Sequence, residues 1–172
     1  MENEKFGGCM KRILMLLLVV ATLLSGCSKK EKDYVDDLPC SELADTVEEQ
    51  IPVDFGYETF SGEHLRYYFE DTKAHDDACL RYTVRSEDIG EFGIFHTPDD
   101  ESRIEIKRLC EDYLATLREE KTAFIESYAP EEVPKLERAE VRSFGNYVAY
   151  AILSDNDRKL FFETVEKKLV KG

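Results

Sequence analysis

The stretch Val148-Ala149-Tyr150-Ala151-Ile152-Leu153 constrains the fold of this chain more than any other. It follows Gly145-Asn146, two residues that tolerate positive φ and so mark a two-residue hairpin turn between Ala139–Phe144 and Tyr147–Ser154. In the second of these strands Val148, Tyr150 and Ile152 share one face, and Ala149, Ala151 and Leu153 share the other. A strand apolar on both sides is expected at the centre of a sheet. The rest of the pattern is arranged around it. Asp77–Arg85 alternates with period two, Ser86–Gly90 turns the chain, and Glu91–His96 reads as the returning strand.

Helices flank these pairs. Ser41 is a candidate cap for a short helix carrying Leu43, Val47 and Ile51, which Pro52 ends. Val53–Phe60 reads as irregular, and Glu63–Glu70 as a helical turn packed through Leu65 and Phe69. Thr97 as cap and Pro98 in the first position announce a long helix. Its stripe is Ile106, Leu109, Cys110, Tyr113, Leu117, Phe124 and Tyr128. Pro130 closes it, and Glu131–Arg138 makes a short second helix. Ser154-Asp155-Asn156-Asp157 caps a last helix that buries Phe161, Val165 and Leu169, with Leu160 and Phe162 beside them. The expected fold is α+β: an antiparallel four-stranded sheet of two hairpins packed against the long amphipathic helix and the C-terminal helix, with helices mainly on one face.

The N-terminal region carries a different message. Lys11 and Arg12 precede twelve uncharged residues, Ile13 to Leu24. That is short of the roughly 20 residues a spanning helix needs, and it fits the apolar core of a secretory signal peptide. Leu24-Ser25-Gly26-Cys27 resembles a bacterial lipobox, which implies a mature chain beginning at Cys27 with fatty acyl chains such as palmitate attached. One chain holds weakly, and two or three make the attachment durable. Residues 1–9 carry two acids, which a signal does not want, so the expected start is Met10. The expected organisation is a lipoprotein signal peptide at 1–26, the acylated cysteine and a linker at 27–40, and a single domain at 41–172.

With 23 basic and 37 acidic residues, the net charge is −14. Residues 1–26 contribute three basic and two acidic side chains, so the remainder is near −15. Such a body does not suit nucleic acid, whose phosphates call for Lys and Arg. Lys29, Lys30 and Lys32 form a basic collar beside the anchor, suited to an anionic lipid surface or to a solubilising linker. Beyond the targeting region lie Cys40, Cys79 and Cys110. Three thiols permit at most one internal disulfide; buried free thiols are the default and a Cys79–Cys110 bridge is the alternative.

The run Phe124 to Asn156, FIESYAPEEVPKLERAEVRSFGNYVAYAILSDN, resembles the bacterial lipoprotein family called domain of unknown function 4358. The shared pattern is a long amphipathic helix, a YAPE turn, a KLE helix and a strand–Gly-Asn-Tyr–strand hairpin, over roughly Ser41 to Leu169. The resemblance implies an extracytoplasmic, membrane-anchored protein, most often of Gram-positive bacteria. It implies no known reaction, so no catalytic residue is carried over.

Three constellations are candidates for chemistry. His75, His96 and a carboxylate could form a metal site if strand ends meet, although no His-x-x-x-His spacing supports it, and His64 stands in a helical turn. Asp155-Asn156-Asp157 with Glu166 imitates a calcium loop, but Lys159 and Leu160 stand where an oxygen donor and a glycine are needed. Arg81, Arg85 and Arg142 occupy strand positions opposite the buried ones. As neighbours they would form a candidate site for a carboxylate or phosphate; the alternative is neutralisation by Glu140 and nearby acids. No nucleophile elbow, phosphate loop or dinucleotide fingerprint occurs, and no cofactor or metal is expected. The expected function is that of a membrane-anchored, non-enzymatic binding or accessory module of the cell envelope. Its expected partners are membrane lipid through Cys27 and an envelope protein. The alternatives are a carboxylate-based envelope hydrolase and a binder of small anions.

Overall fold

The computed structural model describes residues 32–60, 62–63, 69 and 74–171. Residues 1–26, expected to be a signal peptide, lie outside the described residues, as do Cys27, Lys29, Lys30, His64 and most of Glu63–Glu70. Five strands form one antiparallel sheet: β1 (Tyr57–Thr59), β2 (Asp77–Thr83), β3 (Glu91–His96), β4 (Glu140–Phe144) and β5 (Tyr147–Ile152), in the order β1-β2-β3-β5-β4. The α+β class and both hairpins are as the sequence indicates, and β5 is flanked by β3 and β4 and buried throughout. The fifth strand is β1. Its three residues, within the stretch read as irregular, add to the free edge of β2 with Tyr57 opposite Thr83.

Helices cover both faces rather than mainly one. Register places Cys79, Phe92, Ile94, Ala149, Ala151 and Phe144 on one side, where they pack against α1 (Cys40–Gln50) and α4 (Asp155–Leu169). On the other, Leu80, Phe95, Val148, Tyr150 and Ile152 pack against α2 (Asp100–Tyr128) and α3 (Val133–Glu137), with Phe69 buried among them. This sandwich explains why β5 is apolar on both sides. Each helix buries a stripe at three- and four-residue steps: Cys40, Leu43, Ala44 and Val47 in α1, and Phe161, Phe162, Val165 and Leu169 in α4, where Leu160 stays outside.

The caps differ from the sequence reading. Asp77, at the start of β2, caps α1 by accepting from the Cys40 N–H at 2.7 Å, and Ser41 does not. Asp99 caps α2 through the Ser102 N–H at 2.8 Å, while the buried Thr97 hydroxyl donates to the Asn146 carbonyl and ties the helix entry to the β4–β5 turn. Ser154 caps α4 as expected, which accounts for the Asp155–Asp157 cluster. On α2 the stripe departs from expectation at its far end. Ile125 is buried, whereas Phe124 and Tyr128 are 62% and 75% exposed, their tilted rings in contact at 4.7 Å between centroids.

Much of the stretch read as linker is docked. From Asp33 it runs along the end of α4 and the β4–β5 turn. The Val35 N–H donates to the Leu169 carbonyl at 2.7 Å, and the Tyr147 hydroxyl both accepts from the Leu38 N–H and donates to its carbonyl. Gly145, at φ +57°, has Tyr34 packed where a Cβ would project. Among the described residues no helix is long and apolar enough to cross a membrane.

Candidate functional site

The most unusual group in the domain is Glu91, the first residue of β3. Alternation puts it on the same side as Gly93 and Phe95, facing α2. It is 8% exposed. Burying a carboxylate is costly unless donors surround it, and two are present. The Tyr150 hydroxyl of β5 donates to Oε1 at 2.5 Å, and the Tyr113 hydroxyl of α2 donates to the same oxygen at 2.8 Å. Gly93 makes this geometry possible. A Cβ there would lie 2.3 Å from Tyr150 Cε1, so the tyrosine ring lies across β3 only because Gly93 has no side chain. Phe69, Phe95 and Tyr113 enclose that ring. Burial raises the Glu91 carboxyl to about 7 against the opposing pull of the two hydroxyls, and pushes the Tyr150 hydroxyl well above its ordinary value.

The second oxygen, Oε2, has no hydrogen-bond partner among the described residues, and Glu91 lines a cavity of about 250 Å³ between the sheet and α2. Its walls are mainly apolar: Phe60, Ile89, Leu117, Ile125, Leu136 and Ile152. Lys121 stands at the α2 side. A wider depression of about 510 Å³ continues along α2 past Ile89 and Lys121 to Phe124. The lip formed by residues 88–90 is braced. Lys135 reaches Asp88 at 2.8 Å and Glu132 at 2.7 Å, and Glu132 accepts from the Ile89 N–H. Burial would raise the Asp88 carboxyl, but Lys135 and the Gly90 N–H bring it below its usual range. Burial likewise opposes the Lys135 charge, and its two carboxylate partners outweigh it and raise its pKa.

The candidate arginines do not converge. Arg81 sits on β2 and Arg142 on β4, three strand spacings apart, or about 14 Å. Arg81 is engaged by Glu48 at 2.6 Å, Asp45 at 3.2 Å and the Thr59 hydroxyl. Arg85 lies beyond the end of β2, near Asp54 and Glu87. Arg142 is held two-pronged by Glu140 and lies over the Phe162 ring at 4.3 Å. The shared anion face is therefore corrected: strand order separates the three, and each has local carboxylates.

The histidines are also apart. The His75 ring packs against Phe95 on the α2 side, and burial lowers its pKa despite Asp76 and Asp77. His96 faces the other side, with Nδ1 on Asp76 at 2.6 Å and Nε2 on Asp36 at 2.9 Å. Burial works against its charge, but the two carboxylates prevail and raise its pKa. His96 thus clasps the 33–39 segment to the sheet. No group of three or more potential metal ligands occurs among the described residues. Cys40, Cys79 and Cys110 are free and buried. Cys79 and Cys110 lie on opposite faces of the sheet, so no bridge joins them.

The family model for Domain of unknown function (DUF4358) matches residues 55–153. The chain belongs to this family. The match spans the sheet, α2, α3 and every residue of the Glu91 cavity named above, and it leaves α1, α4 and Cys27 outside. Neither the curated proteins nor the solved structures yield a match.

Sequence reasoning missed Glu91, Tyr113 and Tyr150 as a unit. Both tyrosines read as core, and Glu91 as a strand end. The available signal was Gly93 inside an otherwise bulky strand, since a lone glycine there marks the close approach of another group.

Proposed function

We propose that this DUF4358 protein is a lipoprotein of the extracytoplasmic membrane face, held by acyl chains on Cys27, whose domain is a non-enzymatic module binding a small molecule in the Glu91 cleft. The observation that carries the binding reading is the buried carboxyl, fixed through one oxygen by Tyr113 and Tyr150, with no hydrogen-bond partner on the other among the described residues, in a residue that lines a mainly apolar cavity. A cavity with apolar walls and one placed polar group is suited to orienting a ligand. The lipobox-like Leu24-Ser25-Gly26-Cys27 supports the address, and the docked segment from Asp33 leaves only residues 28–32 between it and Cys27. An envelope protein as a further partner is consistent with the exposed Phe124–Tyr128 pair beside the cleft.

A carboxylate-based hydrolase is the weaker reading. Glu91 has the raised pKa a general acid needs, but the nearest second carboxylate on the cavity wall, Asp88, is neutralised by Lys135. Anion binding by the arginines lacks a common site.

Two measurements test the proposal. Metabolic labelling with an alkyne fatty acid should mark the wild type but not Cys27→Ser, which should leave the membrane fraction; label retained in Cys27→Ser would remove the anchor. A thermal-shift screen of small amphiphiles should raise the melting temperature of the wild type and not of Leu117→Phe, whose larger side chain fills the cavity. Equal shifts in both would place binding elsewhere.

A further inference from the structure

We infer that the Glu91 cleft selects a small organic amine with an apolar body, its ammonium group seated on Glu91 Oε2. The inference rests on the binding reading above and names its ligand class. Oε1 already accepts from two hydroxyls, which leaves Oε2 as the carboxyl oxygen available to a ligand in the cavity that Glu91 lines. Two donors at Oε1 favour the ionised carboxylate, and an ionised oxygen in an apolar cavity calls for a cation with N–H donors. Size follows from volume. An apolar cavity of about 150 Å³ accepts benzene, so about 250 Å³ corresponds to roughly ten non-hydrogen atoms. Ile89, Leu117, Ile125 and Ile152 would cover the body of such a molecule. Charge agrees at long range, because a chain of net charge −14 concentrates cations around itself.

The groups that face Glu91 from each packed element are Tyr113 and, at the mouth, Lys121 from α2, Tyr150 from β5, its strand neighbour Tyr82 from β2, and Asp88 from the lip with its partners Lys135 and Glu132. Tyr150 and Tyr82 are raised, Asp88 is lowered and Lys135 is raised, so these four keep their charge states between pH 6 and 8. Glu91 titrates within that window.

The test is calorimetric titration of the full-length lipidated protein in nanodiscs with 2-phenylethylamine, 2-phenylethanol and 3-phenylpropanoate, at pH 6 and pH 8, with empty nanodiscs as blank. The amine should bind tightest of the three at pH 8 and about tenfold more weakly at pH 6, as Glu91 takes up a proton. Glu91→Gln should lose that pH dependence and about tenfold in amine affinity while keeping the alcohol. Should Glu91→Gln fail to fold, the wild-type pH comparison decides. Amine affinity that is flat with pH, or tighter binding of the alcohol or the carboxylate than of the amine at pH 8, overturns the amine inference and leaves the binding reading standing. Binding of none of the three overturns both.

Discussion

Gly93→Ala is the sharpest structural perturbation available. The added Cβ would lie 2.3 Å from Tyr150 Cε1 and 2.9 Å from Cζ, far inside van der Waals contact. The ring cannot step aside, because Phe69, Phe95 and Tyr113 surround it and its exposure is zero. Overpacking of this kind costs about 1–3 kcal/mol. If the ring tilts to relieve it, the hydroxyl leaves Glu91, and a hydrogen bond to a charged group is worth about 1.5–3 kcal/mol. Replacing glycine within a strand returns about 0.5–1 kcal/mol of backbone entropy. The two costs are alternatives, so the expected net loss is about 1–2 kcal/mol, a sizeable part of the roughly 5–15 kcal/mol that holds a domain together. Urea unfolding at pH 7, followed by far-UV circular dichroism, measures it. The cycle with Tyr150→Val isolates the cause: in that background Gly93→Ala should be neutral or slightly stabilising. Equal costs in both backgrounds would refute the claim that Gly93 exists to admit the Tyr150 ring.

Other expectations follow from the same geometry. Glu91 has a folded pKa above its unfolded value, so its contribution to stability is complete below pH about 4.5 and is lost as pH rises toward about 7; linkage makes this up to about 3 kcal/mol. Glu91→Gln should flatten the stability profile across that window, and an unchanged profile in urea titrations would count against a buried carboxyl. The raised His96 pKa gives a clasp that is complete below pH about 6.5 and loosens as pH climbs through the folded value. The Val35 and Leu38 amides should then lose hydrogen-exchange protection at high pH in the wild type and at all pH values in His96→Ala; identical protection in both would refute the clasp. Non-reducing peptide mapping should find no Cys79–Cys110 peptide, since the sheet separates the two thiols.

What could be read in advance was local. Period-two alternation in β2 and β5 and the Gly145-Asn146 turn located four strands, because each signal lies within a few residues. β1 escaped because three residues carry no period, and it exists only through pairing with β2. Strand order is likewise not local. Because β5 pairs with β3, β2 and β4 lie on opposite sides of that pair, and this is what scatters Arg81 and Arg142. The departure of Phe124 from the α2 stripe has a length argument: a helix of 29 residues runs about 43 Å, twice the roughly 20 Å of a six-residue strand. Its far end outruns the sheet, and Ile125 rather than Phe124 meets the wall formed with Leu136. The Glu91 triad joins residues 22 and 59 positions apart in sequence, so only the folded register unites them.

The measurement that bears most directly on the ligand site is the titration of the Glu91 carboxyl carbon by 13C NMR in the full-length protein, assigned with Glu91→Gln, before and after addition of 2-phenylethylamine. The midpoint should lie near 7 in the free protein and fall by one pH unit or more when the amine is bound. A midpoint at the ordinary glutamate value, unmoved by the amine, would contradict the Glu91 site.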